Sequence, residues 1–252
     1  MRHNLYGDRV ALSKDNKIQI MDSNSLQILE EFSTSEAVSS LDWSHPEFGQ
    51  VLAYSCGKTA TIWHNGKNIA NIKSISNIVQ VLFMPNSYGL LLIVLSANLL
   101  SIYECINILH KREWILMHEI SIFNAQCVCV AEESYILVCT QVCTVYQLNP
   151  TSKAWEPTSV YLEKRARKCA WTKVEGKPFE VFVIATDTDI EFYKFDYSKI
   201  EFINSVPTDS VPEDLVFNAI GSMLLSSTRE VVKAFRANFV GEWQLYNEIK
   251  LD

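Results

Sequence analysis

Five histidines, seven cysteines and one basic run are the residues of this 252-residue chain that could do chemistry. The histidines, His3, His45, His64, His110 and His118, are dispersed, and none is paired by spacing with a nucleophile. Catalysis needs convergent polar groups of shifted acidity in a cleft. No Gly-x-Gly or Gly-Lys-Ser/Thr run occurs among the eight glycines, so no phosphate-binding loop is expected. The sharpest metal candidate is the set Cys127, Cys129, Cys139 and Cys143. Zinc favours a tetrahedral sulfur shell from paired, closely spaced cysteines in loops. Here Cys127 and Cys129 alternate along a strand and share a face, and burial as small apolar residues accounts for them as well. Lys164-Arg165-Ala166-Arg167-Lys168 could meet RNA, an acidic partner segment or an import receptor, but reads as a solvated connecting loop. His64-Asn65-Gly66-Lys67 reads as a hairpin turn. The chain is therefore expected to be no enzyme, with no catalytic site, no cofactor and no metal.

Composition narrows the class further. With 48% hydrophobic residues the chain can bury a sizeable core without metals or disulfides. Its 22 Lys plus Arg against 29 Asp plus Glu give a net charge of -7, which offers no broad footprint for nucleic acid or an anionic membrane. The N-terminal residues run directly into a strand-like pattern, so no secretory leader is expected. The longest apolar run, Leu90 to Leu95, is far short of the roughly 18 residues of a membrane-spanning helix and reads as a buried strand. An odd number of cysteines without a regular framework fits a reducing compartment.

The elements that position these residues repeat. An apolar residue, an apolar or aromatic residue and a polar one recur as Ile20-Met21-Asp22, Ile62-Trp63-His64, Ile102-Tyr103-Glu104, Val145-Tyr146-Gln147, Phe192-Tyr193-Lys194 and Ala234-Phe235-Arg236, at intervals of 42, 40, 43, 47 and 42. A second series precedes them: Leu41-Asp42-Trp43, Val81-Leu82-Phe83, Cys127 to Val130, Cys169-Ala170-Trp171 and Leu215-Val216-Phe217. Three of these are followed by turn residues, Pro46 to Gly49, Pro85 to Gly89 and Gly176 to Pro178. A period near 40–45 with several short strands per unit is the signature of propeller blades. The expected fold is all-β: a single six-bladed WD-repeat β-propeller domain over 1–252, with blades about 8–32, 37–71, 78–119, 125–161, 168–206 and 213–249. No helix of normal length is needed, though Ile106 to Arg112 could form a turn or two.

The first unit looks incomplete, because only seven residues precede the strand that starts near Asp8. Its innermost strand is expected to be missing or very short, while Gly241 to Ile249 supplies the sixth unit's own outer strand. The ring is therefore expected to be open, with a seam between first and last units. Its expected lining is Leu5, Tyr6, Val10, Leu12, Ile18 and Ile20 on one side, and Leu224, Val232 and Ala234 on the other. An exposed apolar edge is a liability unless covered, and a partner adding strands would cover it. The alternative that first and last units meet and seal stays open.

The second unit, Trp43-Ser44-His45-Pro46-Glu47-Phe48-Gly49-Gln50-Val51-Leu52-Ala53 followed by Thr59-Ala60-Thr61-Ile62-Trp63, resembles the small WD-repeat proteins shared by the nuclear pore scaffold and the COPII vesicle coat. In the third, Phe83-Met84-Pro85, Tyr88-Gly89-Leu90-Leu91-Leu92, Ile102-Tyr103-Glu104 and Trp114 with His118-Glu119-Ile120 resemble the nucleoporin branch, the Sec-thirteen homologues of the Y-shaped complex. Phe235-Arg236-Ala237-Asn238 with Gly241-Glu242-Trp243 is similar to that family's last blade. The resemblance covers about residues 41–120 and 230–245. Ser96-Ala97-Asn98 and Ser55-Cys56-Gly57-Lys58 depart from the family's usual Ser-x-Asp-Gly turns.

This resemblance implies an open propeller completed in trans by a blade from a helical-solenoid nucleoporin. It implies a structural scaffold of the pore's outer ring, serving protein and mRNA transport. Its place would be the nuclear pore complex at the nuclear envelope, on cytoplasmic and nuclear faces, beside other Y-complex subunits. Contact with the membrane would be peripheral at most, with no direct contact to nucleic acid. The alternatives are a COPII cage or coat-related nutrient-signalling subunit and, in another class, a propeller that recruits short peptide motifs.

Overall fold

The computed structural model describes every residue except Leu5, Glu132, Glu133, Glu175, Ala219 and Asp252. Six four-stranded antiparallel sheets follow one another along the chain, each with its strands paired in sequence order. They fall into two compact units, Met1–Ala125 and Gln126–Asp252.

The first unit holds three sheets. The first is Arg2–His3, Arg9–Lys14, Lys17–Asp22 and Ile28–Ser33; the second is Val38–Trp43, Val51–Cys56, Thr59–His64 and Lys67–Lys73; the third is Ile78–Phe83, Leu91–Ser96, Leu99–Cys105 and Trp114–Ser121. The second unit holds the fourth sheet, Cys127–Val130, Tyr135–Cys139, Cys143–Leu148 and Trp155–Leu162. The fifth is Lys168–Lys173, Glu180–Ala185, Asp189–Phe195 and Ile200–Pro207, and the sixth is Asp214–Phe217, Met223–Ser227, Val231–Ala237 and Trp243–Lys250.

Position within a sheet follows composition. The second strands Val51–Cys56, Tyr135–Cys139 and Glu180–Ala185 are buried at every residue, as near-continuous apolar runs must be when both faces are covered. The fourth strands are less buried: Ile28–Ser33 has no buried residue, and Trp155–Leu162 only Trp155.

The repeated dipeptides mark one structural event. In every sheet the third and fourth strands slip register once: at Ile20/Met21, Ile62/Trp63, Ile102/Tyr103, Thr144/Tyr146, Phe192/Tyr193 and Ala234/Phe235. A bulge of this kind bends the pair, increases its twist and re-aims the side chain beside it. A large residue at that point fills the space between sheets: Trp63, Tyr193 and Phe235 are all buried.

Neighbouring sheets within each unit share a core. Ala11, Ile18 and Ile20 of the first sheet are buried with Leu41, Trp43, Leu52 and Trp63 of the second. There Phe32 stacks on Trp63 at 5.7 Å and Trp43 meets Trp63 edge-on at 6.4 Å. In the second unit Trp171, Phe182, Tyr193 and Phe195 of the fifth sheet pack against Tyr135, Leu137 and Val145 of the fourth. Phe192 and Val183 pack against Leu224, Phe235 and Trp243 of the sixth. Polar contacts between adjacent sheets span about one repeat: Asp42 Oδ2 accepts from Phe83 N at 2.7 Å, and the Asn204 amide both donates to Trp243 O (2.8 Å) and accepts from Trp243 N (2.9 Å).

The turns expected at Pro46 and Pro85 are short 3-10 helices, Pro46–Phe48 and Asn86–Tyr88, each closed by a glycine, Gly49 or Gly89, at φ of 80° and 84°. Residues 108–110 form a turn and no helix. The hairpin at His64-Asn65-Gly66-Lys67 is a two-residue loop with φ of 48° at Asn65 and 76° at Gly66, closed by the pair His64 and Lys67. Both residues are left-handed, as a turn matching strand twist requires. An added Cβ at Gly66 would meet only the Glu30 carboxylate, at an ordinary 3.5 Å, so its penalty is backbone strain alone. Gly66→Val is expected to lower stability by about 1–3 kcal/mol. Asn65→Gly is expected to be nearly silent; urea midpoints at unchanged m-value check both.

Candidate partner-binding faces

Side chains alternate across a strand, so strand register divides the expected seam residues between two faces. In the first sheet the pairs Ala11 with Ile20 and Ser13 with Ile18 lie on one face, and Val10 with Met21 and Leu12 with Gln19 on the other. The first of these faces is packed against the second sheet, where Ile18 and Ile20 are completely buried. Ile18 and Ile20, placed in the expected seam lining, are thus buried in the core of the first two sheets. On the opposite face Val10 is buried, and Leu12, Gln19 and Met21 are half-buried. Glu31 joins that face by accepting hydrogen bonds from Lys17 Nζ at 2.8 Å and Gln19 Nε2 at 2.6 Å, which hold its carboxyl below the usual range. Tyr6 is 74% exposed in the turn before Arg9–Lys14. Leu5 lies outside the described residues.

The sixth sheet divides in the same way. Leu224 pairs with Phe217 and Phe235 on the face buried against the fifth sheet, so it too is a core residue and not part of a free face. Ala234 pairs with Leu225, and Leu225 with Val216; Val232 pairs with Ser227 and with Ile249. This second face carries exposed apolar side chains, with Val216 at 42%, Leu225 at 44% and Ile249 at 56%. Val216, Leu225 and Ile249 are absent from the sequence-derived set. Register would have found them, because each stands directly across from, or one strand beyond, Val232 or Ala234.

The innermost strand of the first sheet is short, as expected. Arg2–His3 contributes two residues, opposite Ala11 and Val10. It is held by Trp43 Nε1, which donates to Arg2 O at 3.2 Å, and by the buried Asn4, whose Oδ1 accepts from Arg9 N at 3.1 Å. On that side Leu12, Ser13 and Lys14 have no strand partner among the described residues.

The other candidates fall out differently. Lys164 Nζ binds both carboxylate oxygens of Glu191, at 2.7 and 2.9 Å, and Arg167 Nε binds Asp187 Oδ1 at 2.7 Å. Two of the four cations in the basic run are therefore neutralised by the fifth sheet. The Arg167 guanidinium holds the exposed Asp187 carboxyl below its ordinary range. The histidines are spread over the three sheets of the first unit: His45 Nδ1 caps the turn at Glu47 N, and His64 Nδ1 lies 3.1 Å from Gln50 O. Of the four cysteines weighed as a metal set, Cys127 and Cys139 come together, and the third sulfur beside them is Cys169.

No protein-family model matches the chain. Nucleoporin SEH1-B of Xenopus laevis is 24% identical over 261 residues, covering 83% of this chain and 72% of that protein. Nucleoporin SEH1 of Osmerus mordax is 26% identical over 252 residues, covering 80% and 68%. Nucleoporin SEH1 of Homo sapiens is 35% identical over a shorter stretch of 107 residues, covering 35% and 29%. Among solved structures, the β-propeller domain of Cps50 (Swd1) from Myceliophteria thermophila superposes with a TM-score of 0.74 at 12% identity, over 98% of this chain and 84% of that one. A functionally unknown protein from Desulfotomaculum acetoxidans gives 0.75 at 14%, over 96% and 79%. The fold is a six-bladed β-propeller of the WD-repeat type, and in sequence the chain is similar to nucleoporins.

Proposed function

We propose that this chain, similar to nucleoporin SEH1 over about four fifths of its length, is a non-enzymatic scaffold subunit of the nuclear pore complex. In this reading the whole chain acts as one propeller domain. A helical-solenoid nucleoporin supplies strands in trans beside Arg9–Lys14, and its side chains cover the apolar face of the sixth sheet. The observation that carries the reading is that face: Val216 and Leu225, directly across from each other, and Ile249, on the outermost strand, are exposed on a sheet whose other face is core. Donated strands would satisfy the open edge of Leu12 to Lys14, and covering the sixth sheet's apolar face would add a hydrophobic contribution of its own. In the same reading the chain sits in the outer-ring Y complex at the nuclear envelope, which the likeness to nucleoporin SEH1 supports; no helix among the described residues is long and apolar enough to cross a bilayer.

Affinity isolation of the tagged chain with lysine cross-linking tests this. The expected result is recovery of helical-solenoid nucleoporins, with cross-links from Lys14, Lys17 or Lys250 to one of them. The double variant Val216→Asp, Leu225→Asp should lose that partner while keeping its melting temperature within a few degrees, because both side chains are already exposed. Recovery of vesicle-coat subunits alone, or full partner retention by the double variant, would reject the proposal.

A further inference from the structure

Three cysteine sulfurs converge in the interior of the second unit. Cys127 opens the first strand of the fourth sheet and stands directly across the ladder from Cys139, the last residue of Tyr135–Cys139. Cys169, in the first strand of the fifth sheet, approaches from the adjoining sheet. The three Sγ atoms all lie within 4.8 Å of one another. Cys139 is also in hydrogen-bond contact with Cys143, and Cys129 with Cys169, so five thiols form a connected group. Leu137, Val145, Ala166 and Phe182 belong to the same buried cluster, and among the described residues no histidine or carboxylate joins the three sulfurs.

Chemistry makes this set selective. An ion with metal–sulfur bonds of about 2.3 Å holds neighbouring sulfurs roughly 3.8–4.0 Å apart, within reach of small side-chain rotations from the separations found here. An all-sulfur, dry, preformed set suits thiophilic d10 ions and offers nothing to magnesium or calcium. Burial and mutual contact push the Cys127, Cys139 and Cys169 thiols upward, so in the empty site they stay protonated, and a coordinating cation would expel those protons. Of the three, Cys169 alone is half-buried as a residue.

We propose that Cys127, Cys139 and Cys169 form an internal thiolate site that binds one thiophilic d10 ion, zinc(II) or copper(I), and clamps the fourth sheet to the fifth. This reverses the expectation of metal-free buried thiols. Cys169 was outside the set weighed from sequence, although it follows Cys127 by 42 residues, one repeat interval, which places equivalent positions on adjacent sheets.

The test uses the full chain, reduced and stripped with chelator. It is titrated with zinc(II) against a chromophoric competitor and, separately, with copper(I) against a copper(I)-specific one. Cobalt(II) serves as the spectroscopic probe. The expected result is one ion per chain in at least one arm, sulfur-to-cobalt charge-transfer absorption, and a higher melting temperature for the loaded protein. Cys169→Ala should weaken binding by more than about 100-fold, beyond what loss of an outer-shell partner costs. Cys56→Ala in the second sheet should not change it. Should Cys169→Ala misfold, the sulfur count in the metal's X-ray absorption spectrum of the unaltered protein decides. Absence of stoichiometric binding in both arms, a shell of oxygen and nitrogen only, or unchanged affinity in a folded Cys169→Ala would overturn the proposal.

Discussion

Replacing Phe192 with alanine is expected to cost the fold about 3–5 kcal/mol, a large share of the 5–15 kcal/mol that natural domains have. Phe192 is completely buried in the fifth sheet and stacks on Trp243 of the sixth, with ring centroids 4.9 Å apart and planes 4° apart. Its far edge reaches Phe235 at 6.2 Å. Truncation would open a cavity in a buried cluster shared by these two sheets, and a sheet interface cannot close over it without moving both backbones. The same tryptophan is held from outside by the Asn204 amide, which pairs with both its backbone groups. Phe192→Ala and Asn204→Ala should therefore be non-additive, since each loosens the anchor the other uses. Phe202→Ala, at a ring 56% exposed on the same sheet, should cost much less. Urea denaturation of the unaltered chain, the three single variants and the Phe192→Ala, Asn204→Ala double variant separates these outcomes; a loss below about 1 kcal/mol for Phe192→Ala would mean that the sixth sheet is not held through this stack.

Most of the architecture was legible because one kind of residue pair marks one structural event. The spacing from Met21 through Trp63 and Tyr103 to Phe235 located the third strand of each sheet before any pairing was known. The structure explains why the pair recurs: the outer strand slips register there in all six sheets, and the slip needs a bulky side chain beside it. The turn glycines were legible for a similar reason, since Gly49, Gly66 and Gly89 adopt backbone angles that other residues resist.

The free faces were only half legible. Alternation shows that Val10 and Ala11 point opposite ways, but not which way has a neighbour. Ile18 and Leu12 look alike in sequence and separate only once the register with Ser13 and Gln19 is fixed. Leu224 and Leu225 pose the same ambiguity in the sixth sheet, and the exposed one is the one the sequence reading passed over. The cysteine cluster failed for another reason. Cys127, Cys129, Cys139 and Cys143 all belong to one sheet, whereas contacts between sheets join residues about one period apart, as Cys127 with Cys169 and Asp42 with Phe83 do.

Those buried thiols also predict that the metal-free, reduced protein loses stability steeply as pH rises above about 9. Burial, chiefly, pushes Cys127, Cys129 and Cys169 upward, and contact with Cys127 does so for Cys139; Cys169 is raised to about 11. The unfolded chain releases these protons near the ordinary thiol value, while the folded chain keeps them. Through that interval the native state binds more protons than the unfolded one, so the slope of stability against pH is negative, about 1.4 kcal/mol per pH unit for each such thiol. Cys169 alone accounts for a loss of roughly 3 kcal/mol between its unfolded value and about pH 11, and is silent below pH 8. Tyr193, raised by burial and by the Glu191 carboxylate that its hydroxyl contacts, adds to the decline only above the ordinary phenol range. Urea midpoints taken in reductant and chelator from pH 7 to 10 should be level at first and then fall. Cys169→Ala should fall less steeply by the share of one thiol. A curve of the same steepness in that variant, or no fall before pH 10 in the unaltered chain, would show that the cluster is open to water and ionises as free thiols do.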